Sequence, residues 1–200
     1  MTNSARRKFD TIEVVLIAGL ASLVAFAFGV TRPRLTTAPE LSLYAKKYGP
    51  EHSSMFGEEW IIRDYFQDKR NGVFVDVGAN HYKNLSNTYF LEAQLGWSGL
   101  AVEPLQEFAP DYAKFRPRTK FVPVFVSDVS NEQARIYVPL GRSAVTSSNR
   151  AFAERYGLGL GLNVKELSAP TITLNDLLDG SVGDPRLRSL RRVEPYQVAA

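Results

Sequence analysis

Gly72-Val73-Phe74-Val75-Asp76-Val77-Gly78-Ala79-Asn80 is the stretch on which the fold turns. Val73 to Val77 is a short, apolar, β-branched run of the kind that forms a strand buried on both faces of a parallel sheet, and Gly78-Ala79-Asn80 breaks it. Upstream, Glu58 to Phe66 sets Trp60 or Ile61 with Tyr65 at helical spacing, which predicts a helix packed on the sheet and ended by Asn71-Gly72. Downstream, Ser86 or Asn87 is placed to cap a helix running through Phe90, Leu91 and Leu95 to Gly96. Gly99 to Val102 then reads as the next strand, ending at Glu103-Pro104, and Leu105 to Phe115 as the next helix. Phe121 to Val126 reads as a third strand, in which Pro123 would be awkward at a central position and points to an edge or a bulge. Strand, helix, strand, helix, strand predicts a βαβαβ half of a doubly wound α/β sheet with right-handed crossovers. Ala134 to Val138 is a further short strand, Ser147 to Tyr156 is helix-like, and Thr173-Leu174-Asn175-Asp176 opens a brief helix with a capping box that uses Asp in place of Glu. Trp60 and Trp97 are core residues on this reading.

Composition narrows the class. The chain has 200 residues, 24 Lys plus Arg against 21 Asp plus Glu, and a formal charge of +3. The excess sits at the ends: five basic and two acidic residues in 1–34, four and two in 181–200, which leaves the body slightly acidic. A dedicated nucleic-acid binder would carry its positive charge as a patch on the folded domain, so no nucleic-acid partner is expected. Hydrophobic residues at 44% can bury a core, and the absence of Cys excludes disulfides, thiolate metal sites and Cys nucleophiles. No His or acid cluster has metal-ligand spacing and no Ser motif resembles a nucleophile elbow, so no metal is expected.

Val14 to Val30 is 17 residues without a charge, preceded by Arg6-Arg7-Lys8 and closed by Thr31-Arg32-Pro33-Arg34. As a helix it would cover about 26 Å, the lower limit for a bilayer core. A cleaved signal peptide would have a shorter run with its cleavage site after it, and a core helix would show a polar face. A single-pass transmembrane anchor is therefore expected over 14–30, with a basic flank over 1–13 and a Pro- and Thr-rich stalk over 31–50 that holds a short helix around Leu41 to Lys47. Basic residues on both sides leave the membrane side of the domain open.

The chemistry is expected at the carboxyl end of the first core strand, where open α/β sheets bind ligands. Gly78 lets the backbone turn and approach a ligand, and Asp76 and Asn80 add polar groups beside it. Glu103, at the end of the next strand, is placed to accept the two hydroxyls of a ribose. A dinucleotide site requires G-x-G-x-x-G, whereas Gly78 is followed by Asn80, His81 and Tyr82, which disfavours a nicotinamide oxidoreductase. One glycine flanked by polar groups suits an adenosine ligand bearing an amino-acid moiety, with an ammonium for the acids and a carboxylate for backbone N–H groups. S-adenosylmethionine fits that description. His81 is a weak candidate for a catalytic base.

The run Gly72 to Asn80, with Ser86-Asn87-Thr88-Tyr89-Phe90-Leu91-Glu92, Leu95 to Pro104 and Val126-Ser127-Asp128, resembles the FkbM family of S-adenosylmethionine-dependent methyltransferases. The resemblance covers about residues 51–180. It implies a class I methyltransferase (Rossmann-like) fold and O-methyl transfer, often to the hydroxyls of sugars or polyketides, with a small molecule or glycan as acceptor. It also implies that Asp76, Gly78 and Asn80 line the methionine end of the cofactor, that Glu103 holds the ribose, and that Ser127 and Asp128 lie by the adenine. The family's pattern stops after Thr171 to Leu178, so a C-terminally incomplete domain followed by a divergent Arg-rich tail over 181–200 is expected. The alternative is a non-catalytic, membrane-tethered remnant that at most binds the cofactor.

Overall fold

A computed structural model describes residues 14–18, 38–158 and 163–181. The stretch Val73–Val77 forms a strand whose alternating side chains serve two layers. Val73, Val75 and Val77 point into one apolar cluster, with Leu100 and Val102 from the neighbouring strand and Leu177 from the helix that covers them. Phe74 points the other way, into a second cluster with Leu91, Leu95 and Trp97. Because both faces are covered, the run is apolar throughout, and Asp76 is the one charge in it; its side chain shares the Phe74 face.

In chain order the elements are β1 (Val14–Ala18), α1 (Ala38–Tyr48), α2 (Glu58–Phe66), β2 (Val73–Val77), α3 (Tyr89–Leu95), β3 (Ser98–Val102) and a 3-10 turn (Gln106–Phe108) leading into α4 (Ala109–Phe115). They continue with β4 (Thr119–Val122), β5 (Phe125–Val126), β6 (Gln133–Pro139), a 3-10 turn (Ser143–Val145), α5 (Arg150–Leu158), β7 (Val164–Ile172) and α6 (Leu174–Ser181). The first sheet has the order β1-β2-β3-β4, all parallel; the second has the order β5-β7-β6, with β6 antiparallel to β7. β2-α3-β3-α4-β4 is the expected βαβαβ order in a mixed α/β protein with a parallel sheet. Gly99 is obligatory in it, since a Cβ there would stand 2.2 Å from the Phe74 carbonyl oxygen.

The N-cap of α3 is Thr88 rather than Ser86 or Asn87 and makes no side-chain cap bond; the Ser86 hydroxyl, two residues earlier, accepts from the N–H of Thr88 (3.3 Å) and Tyr89 (3.1 Å) and so fixes the turn that leads into the helix. Pro123 divides the expected third strand. β4 ends at Val122, the N–H of Val124 turns back to the Val122 carbonyl (3.0 Å), and the chain restarts as β5 in the other sheet. Thr173 caps α6 as expected, accepting from Asp176 N–H at 3.1 Å, but the return bond runs through Ser130: the Thr173 N–H donates to the Ser130 hydroxyl (2.8 Å), which donates to the Asp176 carboxylate. β7 was hidden in the sequence by Lys165, Glu166 and Pro170, which interrupt its alternation.

Two expectations about the N-terminal region differ from the structure. Val14–Ala18, the start of the expected helical span, is a strand paired with β2, from Val14 against Val73 to Ala18 against Val77. Val14, Val15 and Ile17 are β-branched, and pairing with β2 satisfies their backbone as a helix would. The rest of the expected span, 19–30, lies outside the described residues, and among the described residues no helix is long and apolar enough to cross a membrane. Within the expected stalk, Ala38–Tyr48 is helical and its last turn is docked on α2. Lys47 and the Tyr48 hydroxyl (2.8 Å) both reach Asp64 on α2, and the Arg63 guanidinium stacks on the Tyr48 ring at 4.5 Å. Most of the Arg-rich tail, 182–200, also lies outside the described residues.

Candidate functional site

The loop after β2 is set first by its backbone. Gly78 (φ +80°) and Asn80 (φ +50°) both occupy the left-handed region, which glycine enters freely and which asparagine tolerates by bonding locally. Here the Asn80 side-chain oxygen accepts from His81 N–H at 2.9 Å. The double reversal tucks the loop onto the end of β3: the N–H groups of Gly78 and Ala79 donate to the Val102 carbonyl at 2.8 and 3.2 Å. The Asn80 N–H donates to Glu103 Oε2 at 3.0 Å. Four successive N–H groups, 78 to 81, are therefore consumed within the protein. Among the described residues, a Cβ on Gly78 would meet nothing within 4 Å beyond its chain neighbours, so the loop's open side lies over Gly78.

Two carboxylates stand beside that loop. Glu103 is 4% exposed and accepts from Asn80 N–H on one oxygen and from Leu105 N–H (3.1 Å) on the other. Burial pushes its carboxyl up to about 7 against the pull of those two N–H groups. Asp76 is 2% exposed, accepts from the Thr88 hydroxyl at 2.8 Å, and is pushed up to about 6 by burial, opposed by Thr88 and by the Arg116 charge. Each Glu103 oxygen keeps a lone pair beyond its N–H bond, and Asp76 Oδ1 accepts no hydrogen bond from the described residues. Tyr112 closes the floor, its hydroxyl donating to the Ala79 carbonyl at 3.3 Å.

Of the residues singled out in the sequence, Asp76, Gly78, Asn80 and Glu103 are thus brought to one place at the carboxyl ends of β2 and β3. Ser127 and Asp128 follow β5 in the second sheet, where their side chains bond each other (3.0 Å) and the Ser127 N–H donates to the Ile172 carbonyl. Among the described residues neither hydrogen-bonds to the first four. His81 Nδ1 accepts from the N–H groups of Lys83 (3.1 Å) and Asn84 (3.0 Å), which puts the neutral ring's proton on Nε2. In that tautomer Nε2 is a donor, and Nδ1 caps the turn 81–84. Sequence reasoning did not single out Ser143, whose hydroxyl reaches Asn80 Oδ1 at 3.3 Å and brings the turn after β6 against the loop. Nor did it find Arg116, because a lone Arg before a Pro reads as a surface charge. The shallow cavity lined by Tyr137, Arg150, Glu154, Asn163, Val164 and Glu166 belongs to β6, α5 and β7 and contains none of the expected site residues.

The arrangement offers hydrogen-bond acceptors and little else. With the N–H groups of 78 to 81 engaged, this loop has no donors for a pyrophosphate, whereas Asp76 and Glu103 call for a ligand rich in hydroxyls, ammonium groups or positive charge. Comparison of the chain with protein families, with curated proteins and with solved structures gives no match.

Proposed function

We propose that this chain is a class I, S-adenosylmethionine-dependent methyltransferase that acts on a hydroxyl of a sugar or other small acceptor. The observation that carries the reading is the pairing of two buried carboxylates with a glycine loop whose N–H groups are already used. S-adenosylmethionine presents the complementary groups: an ammonium for Asp76 and two ribose hydroxyls for the remaining lone pairs of Glu103. The donors for its carboxylate must come from outside residues 78 to 81, which corrects the simple expectation that this loop supplies them. Once bound, the cofactor supplies a methyl group on an electrophilic sulfonium. The chain's part is to hold that ligand against Gly78, where no side chain intervenes, and to exclude water with the packed residues beneath, Ala79, Ala101 and Tyr112. By the sequence resemblance, Ser127 and Asp128 flank the adenine. Rate enhancement comes mainly from alignment of methyl and acceptor hydroxyl, a proximity effect with modest base assistance.

The engagement of His81 Nδ1 by two N–H groups favours, as a second reading, a chain that binds the cofactor without turning it over. Calorimetric titration of the full chain with S-adenosylmethionine and, separately, with NAD tests the first point. Binding of the former alone, lost in Glu103→Ala, is the expected result; heat with NAD or with neither ligand overturns it. Methyl transfer to a panel of glycans and small hydroxylated acceptors separates the two readings.

A further inference from the structure

Arg116, the residue after α4, is 1% exposed, and its guanidinium is surrounded by acceptors. Nε bonds Glu92 on α3; Nη1 donates to the Tyr82 carbonyl at 2.8 Å; Nη2 donates to the Thr88 carbonyl, the Thr88 hydroxyl and the Thr119 hydroxyl, each at 3.2 Å. Glu92 is held in turn by the Thr119 hydroxyl and by Arg118 N–H at 2.8 Å. One buried cation thus ties α3, the loop 82–88 and the start of β4 together.

The order of donors in this cluster has a chemical consequence. Arginine can only donate, so the Thr88 oxygen must accept from Arg116. A hydroxyl has one proton, and with its oxygen accepting from the guanidinium that proton points to Asp76 Oδ2, 2.8 Å away. We infer that Arg116 and Thr88 form a positioning relay for Asp76, in which the guanidinium fixes the direction of the Thr88 proton and that proton holds Asp76 as a charged acceptor turned toward the ligand. This inference rests on the cofactor reading above for the identity of the ligand, but the relay itself does not. It gives the site a sign preference: with Thr88 committed as donor, the Asp76 face accepts an ammonium or hydroxyl and repels a carboxylate or phosphate.

The other groups facing Asp76 are Glu103 at the end of β3 and Tyr112 on α4, with Glu92 behind Arg116. Burial is the largest influence on the Asp76 carboxyl and raises it, against which the Thr88 hydrogen bond and then the Arg116 charge pull it down, while the Asp76 charge raises Glu103 in turn.

The test uses the full chain with Thr88→Val, which keeps the shape and removes the hydroxyl, and Thr88→Ser, which restores it. Two quantities are read: the titration midpoint of the Asp76 carboxyl by NMR in ligand-free protein, and the affinity for S-adenosylmethionine at pH 6, 7 and 8.5. In Thr88→Val the midpoint is expected to rise by about one pH unit, so that the ionised fraction of Asp76, and affinity with it, falls about fivefold at pH 6, about twofold at pH 7 and hardly at all at pH 8.5. Thr88→Ser is expected to recover both. An unmoved midpoint in folded Thr88→Val, or an affinity loss equal at every pH and shared by Thr88→Ser, overturns the relay. If Thr88→Val does not fold, Arg116→Lys serves instead: a single ammonium lacks the planar fork by which Nε reaches Glu92 while Nη2 reaches Thr88, so the midpoint is expected to rise again, and an unchanged midpoint is again fatal. A wild-type chain that ignores S-adenosylmethionine yet shows the shifted midpoint defeats the methyltransferase reading and leaves the relay standing; cofactor binding with an unmoved midpoint does the reverse.

Discussion

Replacing Asp76 with asparagine should make the protein more stable while removing its function. Asparagine has the same shape, its carbonyl oxygen can still accept from Thr88, and its amide falls where Asp76 Oδ1 accepts no hydrogen bond from the described residues. What disappears is a buried negative charge. Burial raises the Asp76 carboxyl from 3.8 to about 6, and at 1.36 kcal/mol per pH unit the gap corresponds to about 3 kcal/mol. The sign follows from proton counting. Between pH 4 and 6 the folded state binds more protons than the unfolded state, so wild-type stability falls as pH rises through that window and is flat for this group above it. Glu103, raised from 4.5 to about 7, extends the decline to neutral pH. Urea unfolding of both proteins at pH 4.5 and 7.5 measures the difference. Asp76→Asn is expected to lose the Asp76 share of the slope and to be more stable than wild type at pH 7.5 by up to about 3 kcal/mol, with cofactor binding gone. Refutation is equally direct: a wild-type protein that gains stability from pH 4.5 to 7.5, or an Asn variant weaker at pH 7.5, would mean that Asp76 is not held as a desolvated charge.

Two further predictions separate interactions that look alike on paper. Arg116→Leu leaves Glu92 buried without its partner and should cost about 3–5 kcal/mol in urea unfolding, whereas Lys47→Ala, at the exposed Asp64 pair, should leave the urea midpoint almost where it was; equal losses would contradict the burial argument. Proline placed at Val15 and at Leu16 in separate variants tests β1, because in a parallel edge strand only one of two neighbouring N–H groups faces the partner. One variant should lower the stability of the domain by about 1–3 kcal/mol and the other by much less, and no effect from either would remove β1 from the sheet.

The parts of the fold that were legible in the sequence are those where local pattern and tertiary setting agree. Val73–Val77 reads as a doubly covered strand and is one, because burial on both faces demands apolar residues at every position. Thr173 reads as a cap because a hydroxyl before a helix has a local job. The Pro123 break was visible for the same reason: a missing N–H cannot be repaired at a distance. Val14–Ala18 was misread, since an uncharged β-branched run satisfies a helix in lipid and a strand beside β2 equally well, and periodicity does not choose between them. β7 escaped because its pairing with β6 tolerates Lys165, Glu166 and Pro170 on a partly exposed surface.

For the site, the sequence by itself determined the acceptors. Asp76 and Glu103 at successive strand ends, with Gly78 between them, follow from where strands stop and which residues stop them. Only the tertiary structure decided how those groups are set. It consumed the N–H groups of residues 78 to 81, turned His81 into a turn cap, and carried Arg116 from 40 positions beyond Asp76 to orient the Thr88 proton. Hydrogen-bond direction depends on which donors meet which acceptors in space, and a sequence fixes the inventory of those groups without fixing their encounters.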